Sequence, residues 1–119
     1  MLNLDTHVLL HAIGGRLTPR EDRLLRGDRW SISGIVLWEI AKLAQLERIE
    51  LDLQSPDVVR VLSAVHVWPI SVEIVQASVR LDVRVDPADE LIAATSLVHH
   101  LPLVTRDRKL RKSALVPLA

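Results

Sequence analysis

Short apolar runs alternate with helix-length segments along this chain, and that alternation leaves few architectures open. Met1-Leu2-Asn3-Leu4 reads as a strand, and Thr6 to Ile13 as a helix halted at Gly14-Gly15. Thr18-Pro19 supplies a cap and a first-turn proline for a second helix, which runs to about Arg26 before Gly27. Trp30-Ser31-Ile32 is a second strand. Ser33 then caps a helix to about Leu46, in which Val36, Leu37, Ile40, Ala41 and Ala44 keep helical spacing. Ser55-Pro56 opens a helix to about Ala64, and a third strand falls within Val65 to Ile70, with Pro69 marking an edge or a strand end. Ser71 to about Leu81 is helical. Asp86-Pro87 opens the helix with the clearest signal, which continues to about His100. Leu101 to Val104 is a strand, Thr105-Arg106-Asp107 a polar turn, Lys109 to Lys112 a last helical turn, and Leu115-Val116 a final edge strand. Strands alternating with helices of this length build parallel α/β units. The expectation is one α/β domain over 1–119 in three layers, with a mostly parallel sheet of roughly four to five short strands flanked by helices.

Composition narrows the chemistry. The chain has 119 residues, 49% of them apolar, enough for a core at this size. It has no cysteine, which removes disulfides, thiolate zinc sites and cysteine nucleophiles together. Three Trp and no Phe or Tyr leave no set of aromatic platforms on which single-stranded bases could stack. Fifteen basic and fifteen acidic residues cancel, so a nucleic-acid partner has to be argued from local distribution instead of the total. The start of the chain carries no basic leader, and no apolar run approaches the roughly 18 residues of a membrane helix. A soluble, cytoplasmic protein is expected.

In open α/β sheets, ligands bind beyond the carboxyl ends of the strands. Asp5 follows one strand directly and Asp107 follows another, while Glu39 and Asp89 lie early in helices. These four acids could converge on one end of the sheet. Each has an ordinary explanation. Asp107 suits a turn, and Glu39 a surface helix position. Asp89 falls at the third helical position after the cap Asp86, where an acid favours the helix dipole. Asp5 is harder to dismiss, because a carboxylate behind an apolar strand risks burial without a partner. Two carboxylates about 4 Å apart repel by about 4 kcal/mol at an effective dielectric near 20. A hard divalent cation relieves that repulsion, and Mg²⁺ combines a few carboxylates with waters and substrate phosphate oxygens.

Taken together, Leu4-Asp5-Thr6-His7, Ile32-Ser33, Leu37-Trp38-Glu39-Ile40, Asp86-Pro87-Ala88-Asp89 with Leu91-Ile92-Ala93-Ala94-Thr95, and Leu103-Val104-Thr105-Arg106-Asp107 resemble the PIN-domain family. The likeness is greatest to the VapC-type toxins of bacterial toxin–antitoxin pairs, and it spans nearly the whole chain. It implies that Asp5, Glu39, Asp89 and Asp107 are the catalytic and metal-binding residues, with Thr105 beside them orienting a ligand or water. It further implies a Mg²⁺- or Mn²⁺-dependent endoribonuclease, a homodimer and an inhibitory antitoxin partner. Two positions depart from the pattern. Glu90 stands where members often carry Arg, and His11 where an aromatic is expected.

Arg106, Arg108 and Lys109 belong to a basic stretch bordering Asp107 and are candidate RNA contacts. Arg20, Arg23 and Arg26 share a helix face that reads as solvated. His7 lies close enough in sequence to Asp5 to reach the site, whereas His99-His100 suit a helix C-terminus. Trp30, Trp38 and Trp68 read as core or dimer-contact residues. No phosphate-binding glycine loop is present. Two competing readings remain: a catalytically silent PIN-like RNA- or protein-binding module, for which Glu90 and the neutral charge speak, and a phosphatase or receiver domain. The second lacks its paired acids, since His7 stands two residues after Asp5 and Asn3 two before it.

Overall fold

The computed structural model describes all of residues 1–119. The elements are β1 (Leu2–Leu4), α1 (Thr6–Gly14), α2 (Pro19–Arg26), β2 (Trp30–Ser33), α3 (Gly34–Gln45), α4 (Pro56–Ala64), β3 (His66–Trp68), α5 (Val72–Ser78), α6 (Pro87–His99) and β4 (Leu103–Val104), with a 3₁₀ turn at Leu110–Lys112. The four strands form one parallel sheet in the order β3-β2-β1-β4. The chain crosses from one side of β1 to the other between β3 and β4. The topological switch point, where such sheets open a crevice for ligands, therefore lies between β1 and β4.

The core is aliphatic. Leu4, Ile32 and Leu103 from the sheet meet Leu9, Val36 and Ile92 from the helices with no exposed surface. Helix α6 buries Ile92, Ala93, Ala94, Thr95 and Ser96 in succession, because it packs against α5, α3 and β2 at once. Asn3 is a polar exception inside β1. Its side-chain amide donates to the Ile92 carbonyl at 3.2 Å and to Ser96 Oγ at 2.9 Å, tying β1 to α6. At the other end of α6, His99 stacks on Trp68 with ring centroids 3.9 Å apart. No helix is long and apolar enough to cross a membrane.

The helix starts follow the sequence signals. Thr18 and Glu21 form a reciprocal capping box, Ser33 and Ser71 cap α3 and α5, and Pro19, Pro56 and Pro87 sit in first turns. Gly15 closes α1 in the left-handed region at φ 69°, a conformation glycine adopts without steric cost.

Three boundaries differ from expectation, each for a local reason. Strand β4 begins at Leu103 and not at Leu101. The Leu101 N–H still bonds back to the Ser96 carbonyl, and Pro102 has no N–H to give. Helix α5 ends at Ser78, short of Leu81, because Ser78 Oγ donates to the Val75 carbonyl and the Arg80 N–H closes a tight turn on Ala77. The final edge pairing forms at Leu118, bridged in parallel to Leu103, and not at Leu115-Val116. The N–H groups of Leu115 and Val116 are instead held by Ser113 Oγ at 3.1 and 3.0 Å.

The tryptophans divide. Trp30 is half-buried, its indole N–H donating to the Leu25 carbonyl at 2.8 Å, and Trp68 is half-buried against His99. Trp38 is not a core residue. It stands 55% exposed, with the Lys42 ammonium 5.9 Å from its ring centroid.

Candidate active site

Asp5 sits where β1 ends and α1 begins. Its N–H completes the ladder to the Val104 carbonyl at 3.1 Å, so its carboxylate emerges at the switch point. The residue is 5% exposed. One carboxylate oxygen accepts from the Thr6 N–H at 2.8 Å, capping α1, and the other accepts from Thr105 Oγ1 at 2.6 Å. Thr6 Oγ1 in turn donates to Glu39 Oε1 at 2.6 Å. Two threonines thus brace two acids on neighbouring elements.

Thr105 also accepts from the Asp107 N–H at 3.0 Å, which fixes the bend that carries Asp107. Asp107 Oδ1 accepts from the N–H groups of Lys109 and Leu110 at 2.8 and 3.0 Å, so it caps the 3₁₀ turn as well as facing the site. Asp89 is at the third position of α6 after Asp86 and Pro87, as the sequence placed it. Its carboxyl is pushed up to about 7, first by burial and then by the negative charges of Asp5, Glu39, Asp107 and Asp86. All four acids named from the sequence therefore share one electrostatic environment.

An open cleft of about 500 Å³ adjoins Asp89 and Asp107, with Arg84, Asp86, Arg108 and Lys109 also among its lining residues. The sequence reading missed two of these. Asp86 was read only as a cap, yet its side chain makes no capping hydrogen bond. Arg84 precedes it in a loop, held by its bonds to the Leu81 and Val83 carbonyls, and a lone loop arginine carries no sequence signal. Arg108 and Lys109 stand at the cleft with exposed side chains.

Arg106 is placed differently from its two neighbours. Its guanidinium forks onto Glu21, at 2.8 Å to Oε2 and 2.6 Å to Oε1, and also donates to the Arg16 carbonyl. Arg106 holds the Glu21 carboxyl down to about 2. That guanidinium is engaged by an internal carboxylate, so Arg108 and Lys109 are the basic side chains of this stretch that stand free at the cleft. His7 is exposed and lines a separate groove. Arg26 pairs with Asp22 and Arg20 donates to the Ala119 carbonyl, so their face is solvated as expected.

No three His, Asp or Glu side chains stand close enough to enclose an ion by themselves. Magnesium does not require such a cage, because it keeps several waters and uses one or two carboxylates together with substrate phosphates. The donor set fits that ion. It is all oxygen and anionic, and it is half-buried at Asp89, where burial and the neighbouring negative charges raise the carboxyl.

The sequence model of the PIN domain matches residues 3–115. A curated relative, Ribonuclease VapC22 of Mycobacterium tuberculosis, is 36% identical over 115 residues, covering 91% of this chain and 88% of its own. Among solved structures, a toxin–antitoxin complex from Klebsiella pneumoniae has a TM-score of 0.73 at 24% identity, covering 94% of this chain and 91% of its own. VapBC2 from Rickettsia felis, bound to a DNA fragment from its promoter, has a TM-score of 0.76 at 19% identity, covering 100% and 98%. At these identities the two structural likenesses carry the fold alone.

Proposed function

Because the chain belongs to the PIN-domain family, we propose that it is a Mg²⁺- or Mn²⁺-dependent endoribonuclease, acting as one PIN domain and as the toxin of a toxin–antitoxin pair. The observation that carries this reading is the Asp89 carboxyl, held near 7 by burial and by like charges from β1, α3 and the loop after β4. A fold that gathers several carboxylates at its switch point and half-buries one of them is arranged for a divalent cation. Asp5, Glu39, Asp89 and Asp107 would hold it. When bound, such a cation neutralises charge on the scissile phosphate and makes water a usable nucleophile near neutral pH.

The protein's own groups do the positioning. Thr105 fixes both Asp5 and the bend that carries Asp107, and Thr6 fixes Glu39. Arg108 and Lys109, with Arg84, line the cleft where RNA phosphates would enter. The remaining parts of the reading are a homodimer and an antitoxin. A dimer is supported by α5, whose Val72 and Val75 are exposed, flanked by exposed Ile70 just before the helix and Val79 just after it. The antitoxin is part of the same reading, drawn from the likeness to Ribonuclease VapC22 and the VapC-type sequence pattern.

The test is cleavage of total RNA by the purified, antitoxin-free protein with Mg²⁺ or Mn²⁺, beside EDTA and the Asp5→Ala and Asp89→Ala variants. Discrete cuts that vanish in all three controls are expected. Full activity in either variant would refute the site assignment. Binding of RNA without cleavage under every divalent ion would favour the silent module that Glu90 suggests.

A further inference from the structure

A second groove, of about 550 Å³, runs between α1 and the segment that follows α3. Its floor is apolar, with Ile13 and Ile49 among its side chains, and its rim carries His7, His11, Arg16 and Arg48 against a single acid, Glu50. Neither arginine is neutralised internally. The ion pairs of the chain join the N-terminal amine to Asp28, Arg26 to Asp22, Arg60 to Asp57 and Arg106 to Glu21. His7 and His11 lie four residues apart in α1 and so share one helical face. Burial, and then the nearby Arg106 charge, hold the His11 imidazole below its ordinary value, favouring its neutral form.

The groove is distinct from the acidic cleft but neighbours it, since the Arg16 carbonyl on its rim accepts from Arg106, the residue before Asp107. His7 directly follows Thr6, the residue that braces Glu39, and the two walls extend from the elements bearing Asp5 and Glu39. Free guanidiniums above an apolar floor match a single strand whose phosphates face outward while a base turns in against imidazole and aliphatic surface. In a chain with so few aromatic rings, the two histidines supply the flat faces that stacking requires.

We propose that this groove binds the single-stranded RNA flanking the scissile phosphate, with Arg16 and Arg48 on its phosphates and His7 and His11 against a base. The proposal rests on the nuclease reading for the identity of the strand. The test measures affinity of the full chain, in EDTA, for a labelled single-stranded oligoribonucleotide of random sequence, by fluorescence anisotropy across a salt series. Arg16→Gln with Arg48→Gln should lower the slope of log affinity against log salt by about 1.4, since each phosphate contact on a single strand contributes about 0.7. With metal restored, KM should rise roughly tenfold while kcat stays within about twofold. His11→Ala should weaken binding at least about fivefold without changing the slope.

An unchanged slope and KM in the double variant would overturn the proposal. So would a double variant that keeps wild-type RNA behaviour but loses its antitoxin, because the groove would then serve a protein segment. Wild-type protein that binds RNA with the arginine-dependent slope yet cuts none would instead refute the nuclease reading and leave the groove assignment standing.

Discussion

Glu21 shows how one side chain can serve two structures at once. Its carboxylate closes the capping box of α2 on the Thr18 N–H at 2.9 Å, and it also grips Arg106 from the loop after β4. Arg106 precedes Asp107, so the ion pair anchors one end of the loop that presents a candidate metal ligand. Glu21→Gln keeps part of the cap but leaves a cation without its partner. Truncating one member of a fully buried pair costs roughly 3–5 kcal/mol. Arg106 is 40% exposed, so solvent screening reduces the expected loss to about 1–2 kcal/mol, read from urea unfolding at pH 7. The acids were legible in the sequence because strand ends and helix starts fix where a side chain emerges. The occupation of Arg106 was not, because its partner lies 85 residues away and nothing local marks the pairing.

At the scale of elements, the site depends on how β1 is registered against α6, since one carries Asp5 and the other Asp89. Asn3 provides that registration through its bonds to Ile92 and Ser96, while its side-chain Oδ1 is buried without a partner. Leaving one oxygen unsatisfied is costly in a closed interior, and the two donated bonds offset it. Asn3→Ala should destabilise the protein by about 1–3 kcal/mol, because it also strips the Ser96 hydroxyl of a donor. Its cleavage rate should fall further than the unfolded fraction accounts for, because Asp5 and Asp89 lose their common frame. A rate that tracks the folded population alone would show that the two acids are registered by other contacts. Most element starts were readable here, since capping residues and first-turn prolines act within a few positions. The ends of α5 and the pairing of the last residues were not, because Ser78 and Ser113 redirect backbone partners in ways that hydrophobic spacing does not record.

For the whole molecule, these charges set opposing limits on stability. Glu21 titrates near 2 when folded against an ordinary value of 4.5, so its stabilisation is full above about 4.5 and is lost as pH falls through about 2. Asp89 is raised from 3.8 to about 7, so its favourable term is complete below about 4 and is lost as pH rises through about 7. His11, lowered by burial, works against Asp89, favouring the fold above its ordinary value of 6.5. The Asp89 shift is the larger, so the metal-free protein should be most stable at about pH 4, where the Glu21 and Asp89 terms balance, and weaken toward pH 8. Asp89→Asn removes the descending limb, and in EDTA at pH 8 its Tm should exceed that of the wild type. A divalent cation takes over the part played by the proton. At one hundred times its Kd it adds about 2.7 kcal/mol, which should move the wild-type maximum up to neutral pH. Asp89→Asn should gain much less from the same ion. Thermal unfolding of both proteins across pH, with and without Mg²⁺, measures these differences together. If the wild-type Tm in EDTA rises steadily to pH 8, the four carboxylates do not share the environment assigned to them.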